Sequence, residues 1–132
     1  MANFIKIFVD WFIFKTDLET NKQRPLFNER EVWMAHTGVN IGFEQDGKGK
    51  SFLRPVLVLK KLTSNNFIGL PLSTSLKNGS WYTKSLIKGK EGRYLLNQVR
   101  LFDAKRLAYL EERIDEKEFK RVKADFIALI EV

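Results

Sequence analysis

Residues 54–72 read Arg-Pro-Val-Leu-Val-Leu-Lys-Lys-Leu-Thr-Ser-Asn-Asn-Phe-Ile-Gly-Leu-Pro-Leu. Pro55 to Leu59 is a short, unbroken apolar run, the pattern of a strand buried on both faces. Thr63-Ser-Asn-Asn66 makes a turn, because such side chains bond their own backbone. Phe67 to Leu72 is then the returning strand, with Ser73 and Thr74 at its end. Working outward, Glu31-Val-Trp-Met-Ala-His36 reads as an earlier strand. Trp81-Tyr-Thr83 and Arg93 to Phe102 supply later ones. Strands spaced by turns, with a helix at each end, predict an α+β, mainly β domain: a small, strongly curved barrel or sheet.

The two helices have different signals. Over residues 4–18, Phe4, Phe8, Trp11 and Phe14 recur at helical spacing, with Ile5, Phe12 and Ile13 beside them. This is an amphipathic helix of about four turns, and its wide apolar stripe is expected to pack on the domain. Its polar side is not basic, which argues against a membrane surface. Thr20 to Arg24 is a connector, and Pro25 ends any helix there. At the other end, Asp115 and Glu118 have the spacing of a capping box, and Phe119, Val122, Phe126, Leu129 and Ile130 follow at helical spacing. Residues 105–113 favour helix by propensity.

Composition excludes several chemistries. The 132 residues include no cysteine and one histidine, His36. Disulfides, thiolate metal sites and a cysteine nucleophile are therefore excluded, as is any mechanism needing two imidazoles. The apolar stretch Phe4 to Phe14 is interrupted by Lys6 and Asp10 and is too short to span a bilayer. The chain reads as cytoplasmic, with no membrane partner and no cofactor.

The net charge of +7 is unevenly placed. Residues 1–47 and residues 107–132 each hold 5 basic and 7 acidic side chains, giving −2 apiece. Residues 48–106 hold 13 basic side chains against Glu91 and Asp103, giving +11. This is the footprint of a surface that binds a polyanion. Gly38 to Lys50 reads as a mobile, glycine-rich loop. It ends in Gly49-Lys-Ser51, yet no P-loop is present: Glu44 stands where the first glycine belongs, and a strand follows rather than a helix.

Three polar residues sit where strands meet loops. Arg54 opens a buried strand, and a guanidinium there either receives a phosphate in bidentate fashion or forms an ordinary strand-end salt bridge. Ser73 and Thr74 either aim hydroxyls at a phosphoryl oxygen or satisfy their own turn. Trp81 and Tyr82 either stack on unpaired bases or pack in the core. His36 reads as a structural strand-end residue.

In order along the chain stand Glu31-Val-Trp33, Gly42-Phe-Glu-Gln45-x-Gly47, Arg54-Pro-Val-Leu-Val-Leu59, Leu70-Pro-Leu-Ser-Thr74, Leu95-Leu-Asn-Gln-Val-Arg100 and Asp103-x-Lys-Arg-Leu107. Together they resemble the MazF/PemK family of toxin endoribonucleases over about residues 29–130. The resemblance implies an SH3-like plasmid-toxin barrel with a C-terminal helix, at 29–132, and a short strand within 105–113. Residues 1–28 are then an added N-terminal helix and linker. It also implies a homodimer, single-stranded RNA as substrate, no metal, and a cognate antitoxin as partner. Carried over by position, the catalytic pair is Arg54 and Ser73, with serine where threonine is usual and Thr74 adjacent. Asn97 stands where some members have a carboxylate, and Phe43 where some have a histidine. Glu44 is then the candidate base, and Gln45, Lys48, Lys50, Lys77, Trp81, Asn97, Gln98 and Arg100 the candidate RNA contacts.

The chemistry suits such a set. A 2′-hydroxyl attacks its own phosphate, leaving a 2′,3′-cyclic phosphate, and the protein positions the attack and stabilises the developing charge. Two other readings compete: a non-catalytic barrel that holds nucleic acid, and a toxin of the same fold that poisons DNA gyrase.

Overall fold

The computed structural model describes residues 2–131. Helix α1 (Ala2–Asn21) leads into seven antiparallel strands: β1 (Glu31–His36), β2 (Leu53–Lys61), β3 (Asn66–Ser73), β4 (Tyr82–Ile87), β5 (Lys90–Leu95), β6 (Arg100–Asp103) and β7 (Leu107–Arg113). Helix α2 (Glu116–Ile130) ends the fold. The strands form one curled sheet in the order β4-β5-β3-β2-β1-β7, with β6 also paired to β3. The curl centres on β3. Its first half, Asn66 to Gly69, pairs with β6, and its last two residues, Leu72 and Ser73, pair with β5. The fold is thus α+β and mainly β.

The unbroken apolar run of β2 has the cause that its composition suggests. Val56 and Val58 face a cluster with Phe27, Trp33, Phe67, Phe102 and Leu107. Leu57 and Leu59 face the opposite way, into a cluster with Leu70, Leu72, Tyr94, Phe119 and Val122. Successive side chains of a strand point to opposite faces, so both faces of β2 are covered. Phe27 belongs to this core although it precedes β1. Arg24 reinforces the attachment through a two-pronged ion pair with Asp103 at 2.9 and 3.0 Å. The linker is therefore part of the packed domain.

Four local readings change. The segment 93–102 is not one strand: a 3-10 turn at Leu96–Gln98 separates β5 from β6. Residues 107–113 are strand, as the family resemblance implies and against their helical propensity, because β1 offers them an edge to pair with. The Asp115 carboxylate caps α2 by accepting the Glu118 N–H at 2.7 Å, but the Glu118 side chain does not return to the cap. It accepts the Tyr94 hydroxyl instead, at 2.6 Å. Finally, the stripe of α1 packs only in part. Trp11 and Leu18 are buried with Phe52, and Phe14 lies against them. Phe4, Ile5, Phe8, Val9, Phe12 and Ile13 are exposed. No helix among the described residues is long and apolar enough to cross a membrane.

His36 is the hinge pin of the α1 contact. Its ring lies 4.8 Å from that of Phe14, and its Nδ1 is 2.6 Å from the Ser51 carbonyl oxygen. Burial lowers its pKa below the ordinary histidine value; the Ser51 bond opposes this, and nearby Lys22 and Arg106 add to it. The unfolded chain therefore takes up the proton first as pH falls, and stability present above about pH 6.5 is lost through the folded-state pKa. The melting temperature is expected to fall between about pH 7 and 5, and His36→Gln is expected to flatten that part of the profile. An unchanged slope in the variant would remove His36 as the cause.

Candidate active site

The loop from Thr37 to Phe52 is pinned along its length. The Gly47 N–H donates to the Gly38 carbonyl at 2.7 Å, and the Asn40 amide donates to the Thr37 and Gln45 carbonyls at 3.2 and 2.7 Å. Gln98, in the 3-10 turn, fastens it from outside. Its Nε2 donates to the Phe43 carbonyl at 2.8 Å, and its Oε1 accepts the Gln45 N–H at 3.1 Å. The loop that composition marked as mobile is thus a fixed partition. One cleft lies on each side of it.

The first cleft, of about 350 Å³, is lined by Thr37, Asn40, Glu44 and Gln45 from the loop and by Asn97, Gln98 and Arg100 from beyond β5, with Pro71, Val99 and Phe102 beneath. Amides, a hydroxyl, a carboxylate and a guanidinium converge on it. The Arg100 guanidinium stacks over the Phe102 ring at 4.9 Å. Burial lowers its pKa, and Glu44 opposes that shift. One oxygen of Glu44 accepts the Ile41 N–H at 2.9 Å, closing a turn, and leaves the other free. Thr37 Oγ1 is buried with no partner, in the wall of this cleft. A buried hydroxyl without a bond is costly.

The second cleft, of about 630 Å³, holds Arg54, Ser73 and Thr74. Arg54 shares a strand face with Val56 and Val58, so alternation carries its side chain inward rather than to solvent. There Nη1 donates to the Leu72 carbonyl at 3.0 Å, and Nε donates to the Asp46 carbonyl. Both partners are neutral. The guanidinium makes no close ion pair among the described residues, although it is only 6% exposed and the Asp46 carboxylate offsets part of its charge. Burial lowers its pKa and the Asp46 carboxylate opposes that shift, and an arginine stays protonated at any working pH. A buried, unpaired cation with N–H groups to spare is a receptor for an anion.

Ser73 ends β3, opposite Arg93 of β5. Gly92 allows this approach: a Cβ there would lie 2.5 Å from the Ser73 carbonyl oxygen. The Ser73 hydroxyl accepts the Ser75 N–H at 3.1 Å, as a turn residue does, and its own O–H remains available. Thr74 is exposed beside it. Lys48, Lys88 and Lys90 line the cleft together with Glu91 and Glu111, Lys88 pairing with Glu111 at 3.2 Å, while Met34, Pro55, Ile87 and Tyr109 provide apolar wall.

The sequence candidates therefore divide. Arg54, Ser73, Thr74 and Lys48 share the second cleft; Glu44, Gln45, Asn97, Gln98 and Arg100 share the first. The chain crosses from one to the other between Gln45 and Lys48. Lys50 lies apart, in a groove against α1. Lys77 and Trp81 are exposed on the loop before β4, outside both clefts. The Lys77 carbonyl accepts Arg93 Nε at 2.9 Å, and the Trp81 ring lies 5.9 Å from Tyr82. Thr37, Asn40 and Tyr109 line the clefts without having been singled out in sequence. Lys88 and Lys90 were visible only as part of the +11 segment. No group of three or more His, Asp or Glu side chains able to hold a metal ion occurs among the described residues.

Compared with known proteins, residues 29–130 match a family described as PemK-like, MazF-like toxin of type II toxin-antitoxin system. No curated protein matches the chain.

Proposed function

Since the chain belongs to the PemK-like, MazF-like toxins of type II toxin–antitoxin systems, we propose that it is a metal-independent endoribonuclease acting on single-stranded RNA in the cytoplasm. The observation that carries this reading is the second cleft, where a buried cationic guanidinium and a free hydroxyl stand together beside lysines. A scissile phosphate seated there receives the spare N–H groups of Arg54 on its non-bridging oxygens, with the Ser73 O–H as a further donor. The adjacent 2′-hydroxyl attacks phosphorus, and the 5′-oxygen leaves. These donors act on charge that grows during the attack, which is where such contacts accelerate reaction. Glu44 lines the other cleft, across the Gln45–Lys48 partition from a phosphate on Arg54, so the proton of the 2′-hydroxyl beside that phosphate passes to solvent rather than to Glu44, and the RNA extends across the partition into the first cleft. The amides and Arg100 of the first cleft then hold the flanking nucleotide. As a type II toxin, the protein has an antitoxin as its partner, and a homodimer is the assembly proposed for the barrel.

The test is incubation of the purified protein with a long single-stranded RNA in excess EDTA, followed by mapping of the ends. Site-selective cuts bearing 2′,3′-cyclic phosphate and 5′-hydroxyl ends are expected. Ends with a 3′-hydroxyl, or complete dependence on Mg²⁺, would reject the mechanism. Tight binding without cleavage would leave a nucleic-acid-holding barrel, and inhibition of gyrase with neither would leave the protein-poisoning alternative.

Within this reading Ser73→Ala is expected to slow cleavage more than Thr74→Ala. The Ser73 hydroxyl is fixed by the Ser75 N–H beside Arg54's own partner Leu72, whereas Thr74 is exposed. Single-turnover rates for the two variants decide, and the opposite ranking moves the hydroxyl donor to Thr74.

A further inference from the structure

The outer face of α1 is the largest surface that the proposed reaction leaves unused. Trp11, Phe14 and Leu18 turn toward the barrel. At helical spacing, Phe4, Ile5, Phe8, Val9, Phe12 and Ile13 span an adjoining half of the helix, from a flank nearly in line with Trp11 (Phe4 and Phe8), which the barrel does not cover, round to the side turned away from those three (Ile5, Val9, Phe12 and Ile13). These six are between 44% and 69% exposed. The same half turns polar beyond Ile13, where it carries Lys15, Thr16, Glu19 and Thr20, all exposed. The apolar block therefore covers roughly 15 Å of helix and is bounded. With phenylalanine near 200 Å² and the aliphatic side chains somewhat smaller, the exposed fractions amount to roughly 600 Å² of apolar surface. That is at the upper end of what a monomer leaves open to water.

We propose that this face pairs with the same face of a second copy of the chain, antiparallel about a two-fold axis at Phe8. Phe4 of each helix then meets Phe12 of the other. Two such faces hold roughly 1,200 Å² between them, so a contact that covers most of both reaches the ~1,000 Å² that a specific interface requires. The block carries no charge, so a copy of itself buries no unpaired ion. It is centred on Phe8 and Val9, so antiparallel pairing superposes its two ends and leaves Lys15 and Glu19 beyond the partner's block. A lipid surface fits less well. The charged residues of α1 are Lys6 and Lys15 against Asp10, Asp17 and Glu19, the wrong sign for anionic headgroups, and the barrel occupies part of the remaining circumference. This surface lies outside residues 29–130, so it adds an association separate from any dimer of the barrel.

The absence of cysteine from the chain makes the test direct. Full-length Phe8→Cys at micromolar concentration under mild oxidation is expected to give a disulfide-linked dimer on a non-reducing gel. Glu19→Cys, on the same half but past the block, is expected to give none. In sedimentation, Phe8→Asp is expected to halve the mass of the wild-type assembly with an unchanged melting curve, because Phe8 is exposed. Should that variant misfold, the cysteine pair decides alone. Equal cross-linking of the two cysteine variants, or none by Phe8→Cys, overturns the proposal. So does wild-type protein that sediments with phosphatidylcholine–phosphatidylglycerol vesicles while Phe8→Cys fails to cross-link.

Discussion

Arg54→Lys is expected to leave RNA bound and to slow cleavage by roughly 10²-fold or more, the scale for loss of one donor to a developing oxyanion. Lysine keeps the charge but has no fork, and it cannot hold the Leu72 and Asp46 carbonyls while also reaching a phosphate. Arg54→Ala is expected to be about as damaging to cleavage, with weaker RNA binding and some loss of stability, since two carbonyls lose their partner. The measurement pairs a binding constant with a single-turnover rate for each variant, and a melting curve monitors folding. If lysine restores the rate, Arg54 contributes only charge. If a folded alanine variant cuts normally, the reaction lies elsewhere on the barrel.

The largest expected loss of stability comes from Phe67→Ala. Phe67 is fully buried, stacked on Phe102 at 5.4 Å and tilted against Phe27 at 5.2 Å. Removing the ring opens a void between three elements that cannot collapse together: the segment before β1, β3 and β6. A cost of about 3–5 kcal/mol is expected. For a domain of this size the melting temperature is then expected to drop by roughly 10–20 °C. Denaturant titration at constant slope checks this. Phe67→Leu is expected to cost distinctly less, because it keeps part of the buried volume, and a loss as large as that of alanine would place the energy in the ring stacking instead.

The β2–β3 hairpin was legible because its apolar run needs cover on both faces, and the two clusters around Val56 and Leu57 provide it. Arg54, Ser73 and Thr74 were legible as polar residues at the ends of apolar strands, and they do share one cleft. What stayed hidden depends on distant partners. The β4–β5 hairpin turns on Lys88-Gly89, both at positive φ, and lysine is a weak signal for such a turn. Residues 107–113 contradict their own propensity because β1 is available to pair with them, and only the family resemblance marked them as strand. The apolar spacing of α1 gave no sign that half of its stripe would face away from the barrel. Nor did the residue types of Glu44 and Arg54 reveal that a pinned length of chain separates them.

The sheet is closed between its ends in sequence: β1, the first strand, has β2 on one edge and β7, the last, on the other, with Glu31 opposite Arg113. A chain growing from its N-terminus therefore carries β1 with a bare edge throughout the synthesis of the intervening strands. The ladder is completed only when the final quarter has emerged, and the loop it closes is long enough for that step to be slow. A chain cut short before Leu107 has an open β1 edge and no α2 over Leu70 and Tyr94, and is exposed to proteolysis. In this member of a toxin family, the last strand thus decides whether β1 is paired on both edges.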